Sequence, residues 1–308
     1  MKVTTTVVTG AAGFLGRAVL RQLSGEPDAD VVACVRRSAP LPGVPNVAVD
    51  LAGPDAPGLL RAALADAAGP VRLVHLAGEY RSGSVERQFD DNVSTTLGVL
   101  EALRDRLSHV VYASSVAVYG SHRRVGAVRQ VAPDTCYGRA KRLAESALDL
   151  FARHRGVPVA VLRLSSLYGP GNPSGNAVAA VTTAMADGRP FEVRPASPST
   201  AEGTPVIYAR DYLHVADAAR AVAVASRTGF AGTLDVGSGT TATPYNLAAV
   251  ARSLGHRVDI EDLAPGAPVV RFDCDPAPAL VAFELTPVAL VDGIADELNW
   301  RISGGGGW

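Results

Sequence analysis

Gly10-Ala11-Ala12-Gly13-Phe14-Leu15-Gly16 follows the strand-forming run Val3–Thr9 and precedes a segment of helical character. This order of strand, glycine-rich turn and helix, with the glycines spaced as GxxGxxG, is related to the dinucleotide-binding fingerprint. Gly10 allows a tight turn, Gly13 lets the backbone approach a pyrophosphate, and Gly16 lets the helix pack closely on the strand. The N–H groups at the start of the helix suit phosphate binding. The stretch therefore predicts a nucleotide-binding α/β unit rather than an ordinary glycine-rich turn.

Strand-like and helical runs alternate through the first half of the chain. The strand-like runs are Val3–Thr9, Val31–Val35, Val44–Val49, Val71–Leu76, His109–Ser114 and Val157–Leu162, and the helical runs are Gly13–Leu23, Leu59–Ala68, Val85–Arg106 and Asp134–His154. This alternation predicts an α/β fold with a Rossmann-like, doubly wound parallel sheet. Ligands of such sheets bind at the carboxyl ends of the strands, so residues that follow a strand are the first candidates for a site.

The second half of the chain is less regular and contains Gly/Pro-rich segments. Its predicted helices are about Asn176–Ala186, Ala216–Ser226, Pro244–Leu254 and Pro287–Trp300. We interpret it as a smaller α+β lobe inserted beyond the sixth strand. The expected dinucleotide-binding domain is 1–165 plus about 206–240, and the expected substrate-binding lobe is about 166–205 plus 241–308.

Composition narrows the class of protein. With 308 residues, of which 47% are hydrophobic, the chain can bury a sizeable core. The formal net charge of −1 gives no basic field for nucleic acid. The first residues do not resemble a signal peptide, and no apolar run reaches about 18 residues, so no membrane span is expected. Three widely spaced cysteines indicate reduced thiols in a cytoplasmic protein, with neither a disulfide framework nor a metal site.

Tyr137 and Lys141 are the most informative pair of side chains. They lie four residues apart at the start of a predicted helix and therefore share one face of it. A nearby ammonium is expected to lower the pKa of a phenol, which would make Tyr137 useful for proton transfer near neutral pH. The chain contains only one other lysine, Lys2, although it is rich in arginine. An exposed tyrosine and lysine on a helix surface would be the alternative if this pair stood alone.

Several further motifs occur in a consistent order with this pair. They are Asp50-Leu51, His75-Leu76-Ala77-Gly78, Asn92-Val93, Ala113-Ser114-Ser115-Val116-Ala117-Val118-Tyr119-Gly120, Leu162-Arg163-Leu164, Tyr168-Gly169-Pro170-Gly171 and Arg210-Asp211-Tyr212-Leu213-His214-Val215. From the glycine turn to Trp300, the chain resembles the extended short-chain dehydrogenase/reductase superfamily, in its NAD(P)-dependent nucleotide-sugar epimerase/dehydratase/ketoreductase branch.

The resemblance implies roles for individual residues. Ser115 would hydrogen-bond the reacting sugar hydroxyl or ketone, Tyr137 would exchange the proton, and Lys141 would bind the nicotinamide ribose and tune Tyr137. Asn92 would be a structural helix residue near the site. The implied cofactor-binding residues are Gly10, Gly13, Phe14, Leu15, Gly16, Arg36, Arg37, Asp50, Leu51, Leu76, Ala77 and Lys141.

The cofactor preference is inferred from the end of the second strand. NAD-preferring relatives carry a carboxylate there for the adenosine ribose, whereas this chain has Arg36 and Arg37. Guanidinium groups bind a ribose 2′-phosphate well, so we expect NADP(H), with NAD(H) as the alternative. A surface pair of arginines without this role is the other interpretation.

The two residues after Ser115 reduce the number of candidate reactions. The 4,6-dehydratases of this branch carry Asp-Glu there, and this chain has Val116 and Ala117. The resemblance therefore favours redox chemistry at one carbon, and the arginine pair favours a net ketoreductase that acts on an NDP-4-keto-6-deoxyhexose. An NAD-dependent NDP-sugar 4-epimerase is the alternative, and a non-catalytic NADP(H)-binding redox sensor is a third interpretation.

The substrate is expected to be a nucleotide-diphosphate sugar. By resemblance, Asn176, Arg210 and Arg271 would contact the diphosphate, and Ser166 stands where many relatives have Asn. Glu79, Tyr80 and Arg81 are possible specificity residues. Relatives dimerise through a four-helix bundle, here the helices Val85–Arg106 and Asp134–His154, so a homodimer is expected.

Overall fold

The computed structural model describes residues 4–25, 30–36, 43–67, 69–81, 83–120, 130–173, 175–193, 206–260, 269–272 and 274–305. The strands are β1 Thr5–Thr9, β2 Asp30–Val35, β3 Asn46–Ala48, β4 Val71–His75, β5 Leu107–Ser115, β6 Val159–Leu164, β7 Ser166–Tyr168, β8 Phe191–Val193, β9 Ile207–His214, β10 Gly232–Val236, β11 Thr241–Ala242, β12 Val258–Ile260 and β13 Val269–Phe272. The α-helices are α1 Phe14–Ser24, α2 Ala56–Ala63, α3 Val85–Phe89, α4 Thr95–Leu103, α5 Cys136–Arg155, α6 Ala177–Ala186, α7 Val215–Thr228, α8 Pro244–Ser253, α9 Ala277–Ala282 and α10 Leu290–Ile302. A π-helical turn occupies Asp90–Ser94, and a 3-10 turn occupies Val116–Tyr119.

A seven-stranded sheet confirms the predicted α/β class. Its strand order is β10-β6-β5-β4-β1-β2-β3, so β1 lies inside the sheet, between β4 and β2. β1 pairs in parallel with both neighbours, and each residue of β1 is buried, as expected for a central strand with covered faces. Helices α2, α4 and α5 contribute leucines to the same core, among them Leu60, Leu100 and Leu148. Each fully buried leucine stabilises the fold by about 1.5–3 kcal/mol.

The predicted single helix Val85–Arg106 is wrong in detail. It divides into α3, the π-helical turn and α4, and α4 ends at Leu103, before β5 begins at Leu107. Side chains at the start of α4 bond to carbonyl groups of the π-helical turn: Thr95 Oγ1 donates to Asp91 O at 2.8 Å, and Thr96 Oγ1 donates to Asn92 O at 2.6 Å. Such turns within helices are frequent at functional sites.

The chain divides into two compact units. The first comprises the described residues up to Gly120 together with 130–163 and 219–234. The second comprises 164–218 and the described residues from Asp235 onward. The boundary at 163/164 lies next to the predicted one at 165, but residues 206–218 and 235–240, which the sequence suggested for the first domain, belong to the second unit.

The second unit is built around β9. This strand pairs in parallel with β7 and β13 and antiparallel with β11, and β8 pairs in parallel with β12. Its core contains Tyr168, Val178, Leu247 and Ile294, all fully buried. Glu297, also fully buried, accepts hydrogen bonds from Gly169 N and Thr182 Oγ1, and this ties α10 to the turn after β7.

Candidate active site

The glycine turn has the geometry that its sequence requires. Gly10 adopts a φ of +64°, which favours glycine, and a Cβ there would lie 2.8 Å from Ala77 N. A Cβ on Gly16 would collide with the carbonyl oxygens of Gly10 and Ala11. These two glycines therefore let α1 and the end of β4 approach the turn after β1.

The start of α1 fits a dinucleotide pyrophosphate. Its N-cap, Gly13, offers no side-chain hydrogen bond to the first turn, and that turn holds no acidic residue. By contrast, Thr135 Oγ1 caps α5 and Thr243 Oγ1 caps α8. Phe14 and Leu15, in the first turn of α1, thus present backbone N–H groups at the positive end of the helix dipole, where phosphate is stabilised.

A buried hydrogen-bonded chain supports the neighbouring strand end. Thr9 Oγ1 accepts from the backbone N–H groups of Leu76 and Ala77 and lies 2.7 Å from His75 Nδ1. His75 Nε2 lies 3.0 Å from Thr96 Oγ1. Burial and the charge of Lys141 lower the pKa of His75 to about 3, so the imidazole is neutral at physiological pH. Since Thr96 donates onward to Asn92 O, His75 carries its proton on Nε2 and accepts from Thr9 at Nδ1. His75 thus has a structural role, as its buried position also suggests.

Ser115, Tyr137 and Lys141 are brought together at the carboxyl end of β5. Ser115 is the last residue of β5, and Tyr137 and Lys141 lie in the first turns of α5. The Ser115 hydroxyl is close enough to that of Tyr137 to lower its pKa, and Lys141 Nζ lies 5.9 Å from the centroid of the Tyr137 ring. Two neighbouring hydroxyls of this kind can bind an oxygen atom and transfer a proton to or from it.

The expected lowering of the Tyr137 pKa is not found in this structure. Burial raises the pKa of Tyr137 to about 12, the hydrogen bond from Ser115 opposes the rise, and the charges of Tyr80 and Glu79 add to it. The ammonium of Lys141 is directed elsewhere: it donates to Ala113 O at 3.0 Å and lies 4.8 Å from the Tyr112 ring centroid. Tyr137 is therefore protonated at neutral pH and is poised as a proton donor.

Lys141 is itself perturbed by its surroundings. Its side chain is buried, and burial lowers its pKa to about 8, while the carboxylate of Glu145 opposes this shift. A Cβ on Gly78 would lie 3.0 Å from Lys141 Nζ and 2.6 Å from Asn92 Oδ1. Because Asn92 Oδ1 is buried and has no hydrogen-bond partner among the residues that the structure describes, the amide oxygen marks a polar position beside the ammonium. Sequence reasoning assigned Asn92 only a structural role.

A charged network lies on the same face of α5, one turn beyond Lys141. Glu145 accepts from Ser114 Oγ at 2.6 Å and from Arg142 Nη1 at 3.1 Å. Arg163 clamps the same carboxylate with two bonds, of 2.9 and 2.7 Å, and donates a third, of 2.8 Å, to Tyr119 Oη. The network joins the strand that ends in Ser115 to the helix that carries Tyr137 and Lys141.

Two of the possible specificity residues adjoin Tyr137. The Tyr80 ring makes an edge contact with the Tyr137 ring, with centroids 6.4 Å apart, and Arg81 lies over Tyr80. Glu79 Oε1 accepts from the backbone N–H groups of Tyr80 and Arg81. This segment after β4 places a carboxylate near the Tyr137 hydroxyl, whereas Val116 and Ala117 add none.

The predicted adenosine-side residues lie at the ends of β2 and β3. Arg36 Nη2 donates to Asp91 Oδ1 at 2.9 Å, and Arg36 Nε lies 3.8 Å from Asp50 Oδ1. Leu51 is buried beside the exposed Asp50. Arg37 lies outside the described residues. Sequence reasoning missed Asp91 because nothing in its local pattern links it to Arg36.

The predicted substrate-side residues lie in the second unit. Asn176 Oδ1 caps α6 at Ala179 N, and its amide donates to Leu167 O at 2.9 Å, next to Ser166 in β7. Arg210 lies 4.2 Å from the centroid of the Phe272 ring. Arg271 Nη1 donates to Thr241 Oγ1 at 2.9 Å. Their contacts with a substrate remain predictions.

Within the described part of the chain, every helix is too short or too polar to traverse a lipid bilayer.

Comparison with known proteins establishes the family. Residues 6–237 match the NAD dependent epimerase/dehydratase family. A dTDP-glucose 4,6-dehydratase of Streptomyces niveus is 30% identical, over 96% of this chain and 91% of that protein. The chain belongs to the NAD dependent epimerase/dehydratase family and is an enzyme of its nucleotide-sugar epimerase/dehydratase type.

Solved structures support the same fold. The structure of Thermus thermophilus UDP-glucose 4-epimerase in complex with NAD superposes with a TM-score of 0.79, at 24% identity, over 96% of this chain and 98% of that one. MoeE5 in complex with UDP-glucose and NAD has a TM-score of 0.76 at 25% identity, over 97% of this chain and 99% of that one. A nicotinamide cofactor is thus supported by both the family and the uncapped start of α1.

Proposed function

We propose that this enzyme reduces a keto group, at C4, of an NDP-4-keto-6-deoxyhexose, with NADP(H) as the cofactor and NAD(H) as the alternative. The observation that carries the proposal is the placement of Ser115, the last residue of β5, close to protonated Tyr137 in the first turn of α5, with Lys141 Nζ 5.9 Å from the Tyr137 ring centroid. The residues that follow Ser115 are Val116 and Ala117, which cannot act as acid or base. This set of residues suits proton donation to one oxygen atom.

The glycine turn and the first turn of α1 would hold the dinucleotide, and its nicotinamide would supply or accept the hydride at the sugar carbon. Ser115 and Tyr137 donate hydrogen bonds to the sugar oxygen, and this polarises the carbonyl and holds it in place. Tyr137 gives its proton to the oxygen as negative charge develops there, so that the ketone becomes an alcohol. Lys141 stabilises the tyrosinate that remains, which then regains a proton from solvent.

The raised pKa of Tyr137 means that its hydroxyl carries a proton at neutral pH and can donate it to the sugar oxygen. Arg36 at the end of β2, which suits a ribose 2′-phosphate, is the reason to place the ketoreductase before the 4-epimerase.

The NDP-sugar 4-epimerase is the second candidate. It uses the same three side chains, because the C4 hydroxyl is first oxidised and the ketone is then reduced on its opposite face. Two observations favour it. The NAD-bound 4-epimerase of Thermus thermophilus shares the fold. Arg36 is paired with Asp91, which makes it less available to the 2′-phosphate of NADP(H). A 4,6-dehydratase, the activity named for the Streptomyces relative, would need a further carboxylate, for which Glu79 is the nearby residue.

We further propose that Asn176, Arg210, Arg271 and Ser166 contact the nucleotide-diphosphate sugar. Arginine forks suit diphosphate oxygens, and Arg210 is held against the Phe272 ring. We also propose that the two compact units are the two domains. The protein would form a homodimer through the segments Val85–Arg106 and Asp134–His154, which include α4 and α5, and would be located in the cytoplasm.

The test is to incubate the purified enzyme with NADPH or NADH and an NDP-4-keto-6-deoxyhexose, and to measure nicotinamide absorbance and sugar products together. Stoichiometric oxidation of the cofactor with formation of the alcohol supports the ketoreductase. Interconversion of 4-epimers without net cofactor oxidation supports the epimerase, and loss of water from an NDP-hexose supports the dehydratase. Dinucleotide binding without turnover on any of these substrates supports the redox sensor.

Tyr137→Phe is the matched variant for this test. The change removes only the hydroxyl, so we expect turnover to fall by about 10²–10⁴-fold, the usual contribution of a positioned acid, while NADPH affinity stays within about twofold. Binding is measured by nicotinamide fluorescence on the same preparation. Turnover that survives the substitution removes Tyr137 from its proposed role.

A further inference from the structure

An ion-pair cluster surrounds the residue that the proposed function assigns to the adenosine ribose. Arg36, which follows β2, donates from Nη2 to Asp91 Oδ1 at 2.9 Å. Its Nε lies 3.8 Å from Asp50 Oδ1, and Arg87 Nε lies 3.9 Å from Asp91 Oδ2. The two arginines and two aspartates of this cluster sum to no net charge, although the sequence around Arg36 alone looks basic.

Burial distinguishes the two aspartates. The Asp91 side chain is only 7% exposed, whereas Asp50 is 60% exposed and Arg36 is 48% exposed. A buried carboxylate depends on its close charged partner, because water cannot replace that partner. The buried Asp91, in the π-helical turn, therefore holds one edge of the Arg36 guanidinium, and the rest of the Arg36 side chain remains partly exposed to solvent.

The end of the second strand is where an arginine meets the ribose 2′-phosphate in dinucleotide-binding folds. A carboxylate and a phosphate bind the same donors of a guanidinium. If Arg36 turns to a 2′-phosphate, Asp91 loses its 2.9 Å partner and, among the described ion pairs, keeps the longer contact with Arg87. NADH has no 2′-phosphate and leaves the Arg36–Asp91 pair in place.

We propose that Asp91 competes with the 2′-phosphate of NADP(H) for Arg36 and so limits the preference of this enzyme for NADP(H) over NAD(H). The inference rests on the proposed cofactor site and concerns its selectivity. Asp91 is thus a specificity-determining residue that acts through Arg36, and its removal should increase the preference of the enzyme for NADP(H).

The experiment compares dissociation constants for NADPH and NADH, measured by nicotinamide fluorescence without any sugar. Asp91→Asn removes the charge and keeps the shape and an oxygen acceptor for Arg36. We expect NADPH to bind about tenfold more tightly to this variant and NADH to change by less than about twofold. Asp90→Asn is the matched control, because Asp90 is an exposed neighbour with the same charge and no ion pair to Arg36 within the described residues.

Two more variants complete the test. In an Arg36→Gln background, Asp91→Asn is expected to leave the NADPH affinity unchanged, because Arg36, for which Asp91 and the 2′-phosphate compete, is absent. Asp50→Asn, at an exposed position, is expected to raise the NADPH-to-NADH affinity ratio by a smaller factor than Asp91→Asn, and it carries the test if Asp91→Asn does not fold.

The outcomes separate this inference from the function on which it rests. The proposed competition is overturned if the NADPH-to-NADH affinity ratio of Asp91→Asn does not exceed that of Asp90→Asn. Where Asp91→Asn does not fold, the same comparison is made with Asp50→Asn. A gain that persists without Arg36 overturns it as well. Wild-type protein that binds neither dinucleotide refutes the proposed cofactor site itself.

Discussion

Replacement of Glu145 by Gln tests whether the charged network under the active site holds the fold together. Glu145 is 3% exposed and Arg163 is 11% exposed, and two hydrogen bonds join them. Gln keeps the shape of the side chain and can still accept one bond from Ser114 or Arg163. It removes the negative charge, so a buried guanidinium is left without its counter-ion.

Removal of one partner from a buried ion pair costs about 3–5 kcal/mol, because the remaining charge is uncompensated. We therefore expect Glu145→Gln to lower the free energy of unfolding by about that amount. Asp149→Asn is the control on the same helix, since it breaks an i,i+4 pair with Arg153 whose side chains are 62% and 77% exposed. Such exposed pairs contribute about 0.3–0.5 kcal/mol.

The assay is urea unfolding followed by far-ultraviolet circular dichroism, with wild type and both variants measured under the same conditions. A third variant, Glu145→Leu with Arg163→Met, replaces both charges by apolar groups and is expected to be more stable than Glu145→Gln. The reasoning is refuted if Glu145→Gln and Asp149→Asn lose the same small amount, because the buried network would then contribute no more than a surface pair.

Two further predictions concern the environment of Lys141. The pKa of Lys141 is about 8 in the folded protein and 10.5 in the free side chain, so the unfolded chain binds more protons than the folded one between these two pH values. The urea midpoint of wild type should therefore rise relative to that of Lys141→Met as the pH increases from about 8 to about 10.5. A constant difference between the two midpoints would contradict the lowered pKa. Gly78→Ala would place a methyl group 3.0 Å from Lys141 Nζ, and we expect it to reduce kcat by about 10²-fold. Gly83→Ala is the control, because its methyl group would meet no atom within 4 Å, and it should leave kcat unchanged. Equal kcat values for the two variants would show that Lys141 tolerates displacement.

Local features of the sequence predicted much of the fold. The glycine turn and α1 follow from residue types within a few positions of each other, and the observed α1 begins at Phe14, one residue from the predicted start. The approach of Tyr137 and Lys141 was also predictable, because a helix fixes an i,i+4 spacing. Parallel topology further predicted that the carboxyl ends of β1, β4 and β5 would meet at one edge.

Features that depend on distant residues escaped prediction. The π-helical turn interrupts a segment whose apolar spacing reads as one continuous helix, and side-chain bonds from Thr95 and Thr96 accompany that interruption. The pair of Arg36 with Asp91 joins positions 55 residues apart. The pKa of Tyr137 is raised chiefly by burial in the folded protein, which the local sequence does not display.

Tyr137, Lys141 and Glu145 lie at intervals of four residues along one face of α5, and this arrangement couples stability to chemistry. Burial disfavours the ammonium of Lys141, and the carboxylate of Glu145 favours it. The same carboxylate is clamped by Arg163 and bonded to Ser114, the residue before Ser115. Any change that loosens Glu145 should therefore disturb both the charge of Lys141 and the position of Ser115. If Tyr137 donates its proton with Lys141 and Ser115 as partners, as we propose, the buried network that stabilises the first unit also positions the candidate site.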